Sequence, residues 1–211
     1  MTNRAALELS ATPLPVSGRR RFVVVVDMQG DFVHPSGALP VPGAEAIVAP
    51  MQQWLAGLDP ATTAGVLLTF DSHVPEIYPR SPESEAFPLH CVRGTAGWES
   101  VLDIGAIAPA IPVHALNKGV FDMWAEPGLT VHPLREDSSE EDIDREAFFA
   151  ALLAEGVREV TVVGVAADFC VKWAIEGLLA RGFRVELPAM LTRGIGMDAQ
   201  AVVTQLAEAV P

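Results

Sequence analysis

The sequence predicts an α/β domain, a doubly wound parallel sheet with helices on both faces. Three observations carry this expectation. Short β-branched runs such as Phe22-Val-Val-Val-Val26 show no polar alternation, helical patterns separate these runs, and chemistry-bearing side chains stand where the runs end. A strand buried on both faces reads as a continuous apolar run, and strands alternating with helices make a covered parallel sheet.

Taken in order, residues 22–26 form the first strand, 43–58 a helix and 65–70 the second strand. Residues 112–116 are a shorter third strand, and 143–153 carry helical spacing. The fourth strand is 160–163, and a helix with Cys170 in its first turn follows. Asp168 suits the N-cap of that helix and Gly182 its C-terminal close. A thiol in a first helical turn meets free N–H groups and the positive dipole end, so a lowered pKa is expected for Cys170. Residues 183–187 give a fifth strand and 199–209 a closing helix. Two stretches, 72–97 and 121–142, lack regular patterning; irregular connections that long are usually functional or disordered. Within the second, 136–142 is acidic and reads as a solvated loop.

Length and composition limit the alternatives. A chain of 211 residues that is 50% hydrophobic can bury one sizeable core. Residues 1–20 carry prolines and run into Arg19-Arg20-Arg21, which reads as a disordered or clasping extension ahead of a domain at 21–211. No run is long and apolar enough to span a bilayer, and no signal peptide is evident. Two cysteines make no disulfide framework, so the expected compartment is the reducing cytoplasm. A net charge of −13 argues against nucleic acid and anionic membrane surfaces as partners. The expected partner is a small molecule, with homo-oligomerisation as a further option.

The first strand runs into Asp27, the second into Asp71, the third ends near Lys118, and the fourth leads to Cys170. In a parallel sheet these carboxyl ends share one edge, where such folds place their chemistry. Asp27 near Cys170 could accept the thiol proton, and Lys118 could hold the pair in register. Asp71-Ser-His73 sets two ligand types on one side of an extended chain, and His90 adds a second imidazole. With a carboxylate from Glu76, Glu83 or Glu85, this set suits one divalent ion, zinc first and manganese or iron next. Spacing alone does not choose among the three glutamates, and Cys91 reads as structural.

Five segments occur in order over roughly residues 21–190: Asp27-Met-Gln-Gly-Asp-Phe32, Asp71-Ser-His73, Phe87-Pro-Leu-His-Cys-Val-Arg-Gly-Thr95, Lys118-Gly119 and Gly164-Val-Ala-Ala-Asp-Phe-Cys170. Together they resemble the nicotinamidases and pyrazinamidases of the isochorismatase-like cysteine hydrolase superfamily. The resemblance implies a six-stranded parallel sheet and a catalytic triad of Asp27, Lys118 and Cys170. It implies a metal held by Asp71, His73 and His90, with Glu83 in the place where some members add a fourth ligand. It also implies a cis peptide at Val165–Ala166, an oxyanion hole from the N–H groups of Ala166 and Cys170, and aromatic walls from Phe32 and Phe87. The implied reaction is hydrolysis of nicotinamide, and of pyrazinamide, through a cysteine thioester in NAD salvage. Phe169 and the segment after Lys118 depart from the family pattern as we know it. Competing expectations are a hydrolase of another small amide, a Cys–His hydrolase using His114 or His132, and a non-enzymatic thiol sensor pairing Cys170 with Cys91.

Overall fold

The computed structural model describes residues 6–13, 20–135 and 141–209, and the acidic loop expected at 136–142 lies mostly outside them. Among the described residues eight strands form one sheet: β1 (Leu7–Ser10), β2 (Arg21–Val26), β3 (Thr63–Asp71), β4 (Val113–Lys118), β5 (Thr130–Pro133), β6 (Ile143–Asp144), β7 (Glu159–Gly164) and β8 (Arg184–Pro188). Their spatial order is β1-β8-β7-β2-β3-β4-β5-β6. The pairs from β1 to β4 are parallel, while β5 and β6 run antiparallel at the far edge.

The strand count corrects the expected six. Leu7–Ser10 pairs along β8, and within the extension Ser10 Oγ donates 2.7 Å to the buried Glu186 carboxylate. At the other edge β5 and β6 are only 4 and 2 residues long. Strands this short leave no period to read in a sequence. Residues 143–144 are therefore strand, and α3 (Arg145–Ala154) begins after Asp144, whose Oδ1 caps it by accepting the Ala147 N–H at 3.1 Å.

The apolar run of β2 explains the two layers. Phe22, Val24 and Val26 point into a core shared with α3, α4 (Lys172–Ala180) and α5 (Ala199–Ala209). Val23 and Val25 point the other way, onto Ile47, Met51 and Leu55 of α2 (Glu45–Ala56). Because successive side chains of a strand alternate faces, a strand covered on both sides needs an unbroken apolar run. β2 lies centrally between β7 and β3, and the chain reverses its direction of strand addition there. Crevices at such switch points open at the carboxyl ends of the strands. No helix among the described residues is long and apolar enough to cross a membrane.

Candidate active site

The strand ends do converge. Asp27 follows β2 with φ +48° and is fully buried. Its Oδ1 accepts the Thr69 hydroxyl at 2.6 Å, and its Oδ2 lies 2.8 Å from Lys118 Nζ. Lys118, the last residue of β4, is buried as well, and its Nζ lies 3.5 Å from Asp71 Oδ1 and 3.6 Å from Cys170 Sγ. The Asp27 carboxylate, paired with the same ammonium, acts on the thiol electrostatically. Burial disfavours the Lys118 charge, but Asp27 and Asp71 outweigh it and hold the ammonium's pKa well above its usual value.

Cys170 stands at the entry to α4, as expected, but by way of a kinked turn. It sits in a wide turn, Ala167–Val171, and α4 starts only at Lys172. Phe169, at φ −126° and ψ −107°, breaks the helical path just before Cys170, and Val171 beyond the cysteine is already helical. Asp168 therefore does not cap α4. Its carboxylate reaches across to accept the N–H groups of Ile195, Gly196 and Met197 at 2.9, 2.7 and 3.0 Å. Gly182, at φ +89°, does close α4. The expected acidic thiol is corrected too. Burial pushes the Cys170 pKa well up, Lys118 opposes it, and the Asp27 and Asp71 charges reinforce burial.

Asp168→Ala would leave three N–H groups of the 195–197 segment without their acceptor. Losing such bonds costs roughly 1–3 kcal/mol. The expected outcome in differential scanning calorimetry is a clear drop in Tm, together with looser protection of residues 167–171 in hydrogen exchange.

The second cluster adjoins the first through Asp71. Asp71, His73, Glu83 and His90 are all buried, and one ligand atom from each lies within 4.8 Å of the others. Glu76 and Glu85 are exposed, so the fold selects Glu83 from the three candidates. His90 Nδ1 lies 2.8 Å from Pro88 O, which can only accept, so a neutral His90 turns its Nε2 lone pair toward Asp71 Oδ2 at 3.0 Å. His73 Nε2 lies 3.3 Å from the same oxygen and 3.6 Å from Glu83 Oε2. His73 Nε2, Glu83 Oε2 and Asp71 Oδ1 are buried without a hydrogen-bond partner among the described residues.

Three carboxylates, Asp27, Asp71 and Glu83, thus share one ammonium. Burial, with the Asp71 charge, pushes the Glu83 pKa up to about 7 against the Phe121 N–H, Lys118 and His73. Burial would also lower the His90 pKa, yet the Asp71 hydrogen bond and charge raise it. Asp71 itself is held well below the usual carboxylate range, because Lys118 and the two imidazoles overcome its burial. Lone pairs converging in a pocket short of positive charge are what a divalent cation satisfies. The donor set fits the expected metal.

Around the two clusters stand aromatic rings. Phe32 is buried with its ring 5.2 Å from that of His90. Phe87 packs edge-on against Phe121 and Phe169 at 5.3 and 5.4 Å. The Val165–Ala166 peptide is cis, and both residues are buried directly before the cysteine turn. The other bases stand apart from the thiol. His114 packs on Phe148 at 5.1 Å inside the core. His132 belongs to β5 rather than a loop and lines a surface cavity of about 520 Å³ with Arg93, Asn117 and Asp142. Cys91 is buried, with its Sγ facing Gly97 O at 3.9 Å.

Sequence reasoning missed several supports. Gln29 clasps Asp71 on both sides, its Nε2 donating to Asp71 O and its Oε1 accepting the Asp71 N–H, each at 2.8 Å. Asp31 Oδ2 accepts the Cys91 N–H at 2.7 Å and so fixes the residue after His90. Both lie inside the quoted segment Asp27–Phe32, where the signal was present but had no partner to be read against. The Tyr78 hydroxyl donates to Phe87 O or Pro88 O, each at 3.0 Å, and braces the His90 segment.

This arrangement has counterparts. The isochorismatase domain family matches residues 21–208. A nicotinamidase/pyrazinamidase of Mycobacterium tuberculosis is 30% identical over 183 residues, covering 84% of this chain and 89% of its own. The chain belongs to the isochorismatase family. Among solved structures, an L. infantum protein in complex with nicotinate is 26% identical with TM-score 0.67, covering 92% of this chain and 91% of its own. A pyrazinamidase of Pyrococcus horikoshii in complex with zinc shares the fold at 24% identity and TM-score 0.63, covering 90% and 95% of the two chains. The likeness to nicotinamidases read from the sequence is thus a family relationship, and the mostly parallel α/β sheet is that of other isochorismatase-family structures.

Proposed function

We propose that this isochorismatase-family protein is a nicotinamidase, hydrolysing nicotinamide to nicotinate and ammonia, with pyrazinamide as a second substrate and NAD salvage as its setting. The observation that carries the reading is the contact of Asp27, Lys118 and Cys170 beside a second cluster of four buried metal-ligand residues. The M. tuberculosis relative supports the choice of substrate.

The chemistry follows from the thiol's state. A raised pKa means that Cys170 rests protonated, so attack needs a local base, and Asp27 is the carboxylate that shares the Lys118 ammonium with it. As Sγ bonds to the carboxamide carbon, the proton passes to Asp27. The N–H groups of Ala166 and Cys170 are assigned to the developing oxyanion, a contribution worth about 3 kcal/mol per donor in comparable sites. Asp27 then returns the proton to the departing nitrogen, ammonia leaves, and a thioester remains. Water adds to the thioester carbon with Asp27 as base, releasing nicotinate and restoring the thiol. Lys118 keeps Asp27 oriented throughout. Phe32 and Phe87 are assigned to the faces of the pyridine ring.

Asp71, His73, Glu83 and His90 would hold one divalent ion, zinc by preference. Bound there, such an ion would supply Lewis-acid chemistry to the substrate and to the hydrolytic water.

The test is ammonia release from nicotinamide, measured before chelation, after it, and after zinc, manganese or iron is restored. Activity is expected to fall at least tenfold on chelation and to return with metal, as loss of a site ion usually demands. No release by folded, metal-loaded protein would sink the nicotinamide assignment and turn the search to other small amides.

A further inference from the structure

Glu83 faces two ways. One carboxylate oxygen, Oε2, points to His73 in the ligand cluster, while the other, Oε1, accepts the backbone N–H of Phe121. Glu83 stands in a short 3₁₀ turn, Pro82–Glu85, whose start Ser81 caps by accepting the Glu83 N–H at 3.2 Å. The carboxylate therefore bridges that turn and a segment that lies far away in sequence.

Phe121 begins the stretch after β4, and its ring is the hub of an aromatic wall. It stacks on Trp173 of α4 at 6.1 Å and 14°, and on the His90 ring at 6.2 Å and 24°. It meets Phe87 and Phe169 edge-on at 5.3 and 5.6 Å. Phe169 directly precedes Cys170, and Phe87 is the ring assigned above to the substrate.

The rest of the stretch is tethered elsewhere. Glu126 Oε2 accepts the Gly119 N–H at 2.6 Å, Arg145 donates to the carbonyls of Met123 and Glu126, and Arg181 lies over the Trp124 ring at 3.7 Å. At Phe121 the main-chain N–H is held by Glu83 alone among the described contacts.

We infer that Glu83 is a positioning residue that couples metal occupancy to the placement of the Phe121 wall. This rests on the reading that Asp71, His73, Glu83 and His90 hold a metal. An ion held by the cluster would restrain the Glu83 carboxylate, and a restrained carboxylate would present Oε1 to Phe121 in one direction. Without the ion the carboxylate can rotate, and the N–H loses a constant acceptor. Metal would thus act on the pocket wall as well as on the substrate.

The experiment compares wild type, Glu83→Gln and Glu83→Ala by two readouts: zinc affinity from chelator competition, and hydrogen exchange of peptides covering residues 119–126 with and without zinc. In wild type, zinc should slow exchange at Phe121 about tenfold or more. In Glu83→Ala, exchange there should be fast with or without zinc, even at zinc concentrations that fill the weakened site. Glu83→Gln keeps an oxygen for the N–H, so it should retain the zinc-free protection and lose most of the zinc response. With nicotinamide as substrate, zinc-saturated Glu83→Ala should show a larger rise in KM than fall in kcat. Wild type that binds no zinc, manganese or iron would overturn the metal reading and this inference with it. Wild type that binds metal without a change at 119–126, or Glu83→Ala that responds as wild type does, would overturn the coupling alone.

Discussion

Cys170→Ala is expected to reduce nicotinamide hydrolysis by a factor on the order of 10⁶, the scale at which removing the nucleophile silences other covalent hydrolases. The reason is local. Sγ, the nucleophile of the proposed mechanism, lies 3.6 Å from the Lys118 ammonium that pairs with Asp27, and Cys91, the other thiol, is buried facing Gly97. Fold should survive, since the change removes one sulfur from a well-packed turn and leaves Lys118 paired with Asp27. A loss of about 1 kcal/mol is the scale for so small a truncation. Cys170→Ser separates geometry from chemistry, because the hydroxyl keeps a donor for Asp27 but is a far weaker nucleophile. Mass spectrometry of wild type quenched during turnover should reveal an acyl adduct on the Cys170 peptide, absent from both variants. Turnover by folded Cys170→Ala within tenfold of wild type would overturn the thioester mechanism.

Lys118→Ala is expected to have the largest effect on stability. Nζ is the ammonium between two fully buried carboxylates, Asp27 at 2.8 Å and Asp71 at 3.5 Å. Removing one partner from a buried charge cluster costs roughly 3–5 kcal/mol, because the remaining charges stay uncompensated. Lys118→Met fills most of the volume without the charge, so similar losses in both variants would assign the effect to electrostatics.

The pH dependence has a definite sign. Lys118 helps to hold Asp71 below its usual pKa of 3.8, so this stabilisation is present above that value and fades as pH falls through the lower folded value. In chelated protein, the difference between wild type and variant in urea denaturation should therefore be full at neutral pH and shrink on acidification below about 4. A deficit that stayed constant down to pH 2 would show that packing, not charge, is responsible.

The parts legible in the sequence share one property: they depend on neighbours along the chain. The buried strands announced themselves as apolar runs, and Asp27, Asp71 and Lys118 could be read as strand ends. Ordered segments then suggested the family. What failed depended on distant partners. Asp168 is a good N-cap by type, yet the three amides of 195–197 outcompete the helix for it. The thiol was expected to be acidic at a helix start. Instead burial and two carboxylates raise its pKa, because charge and desolvation are summed over every element that packs around it. Three glutamates were equivalent by spacing until folding buried Glu83 and left Glu76 and Glu85 exposed. β1, β5 and β6 could not be read because short edge strands take their identity from the pairing partner. Pattern along the chain was enough for the layered α/β class and for the side chains that meet at the sheet's carboxyl edge, since strand burial and strand direction are local consequences of that pattern. Folding was needed to bury Glu83, the glutamate the resemblance pointed to, beside Asp71, His73 and His90, and to reveal what Asp168 holds and how the thiol titrates, since each is a property of groups brought within a few ångströms of one another.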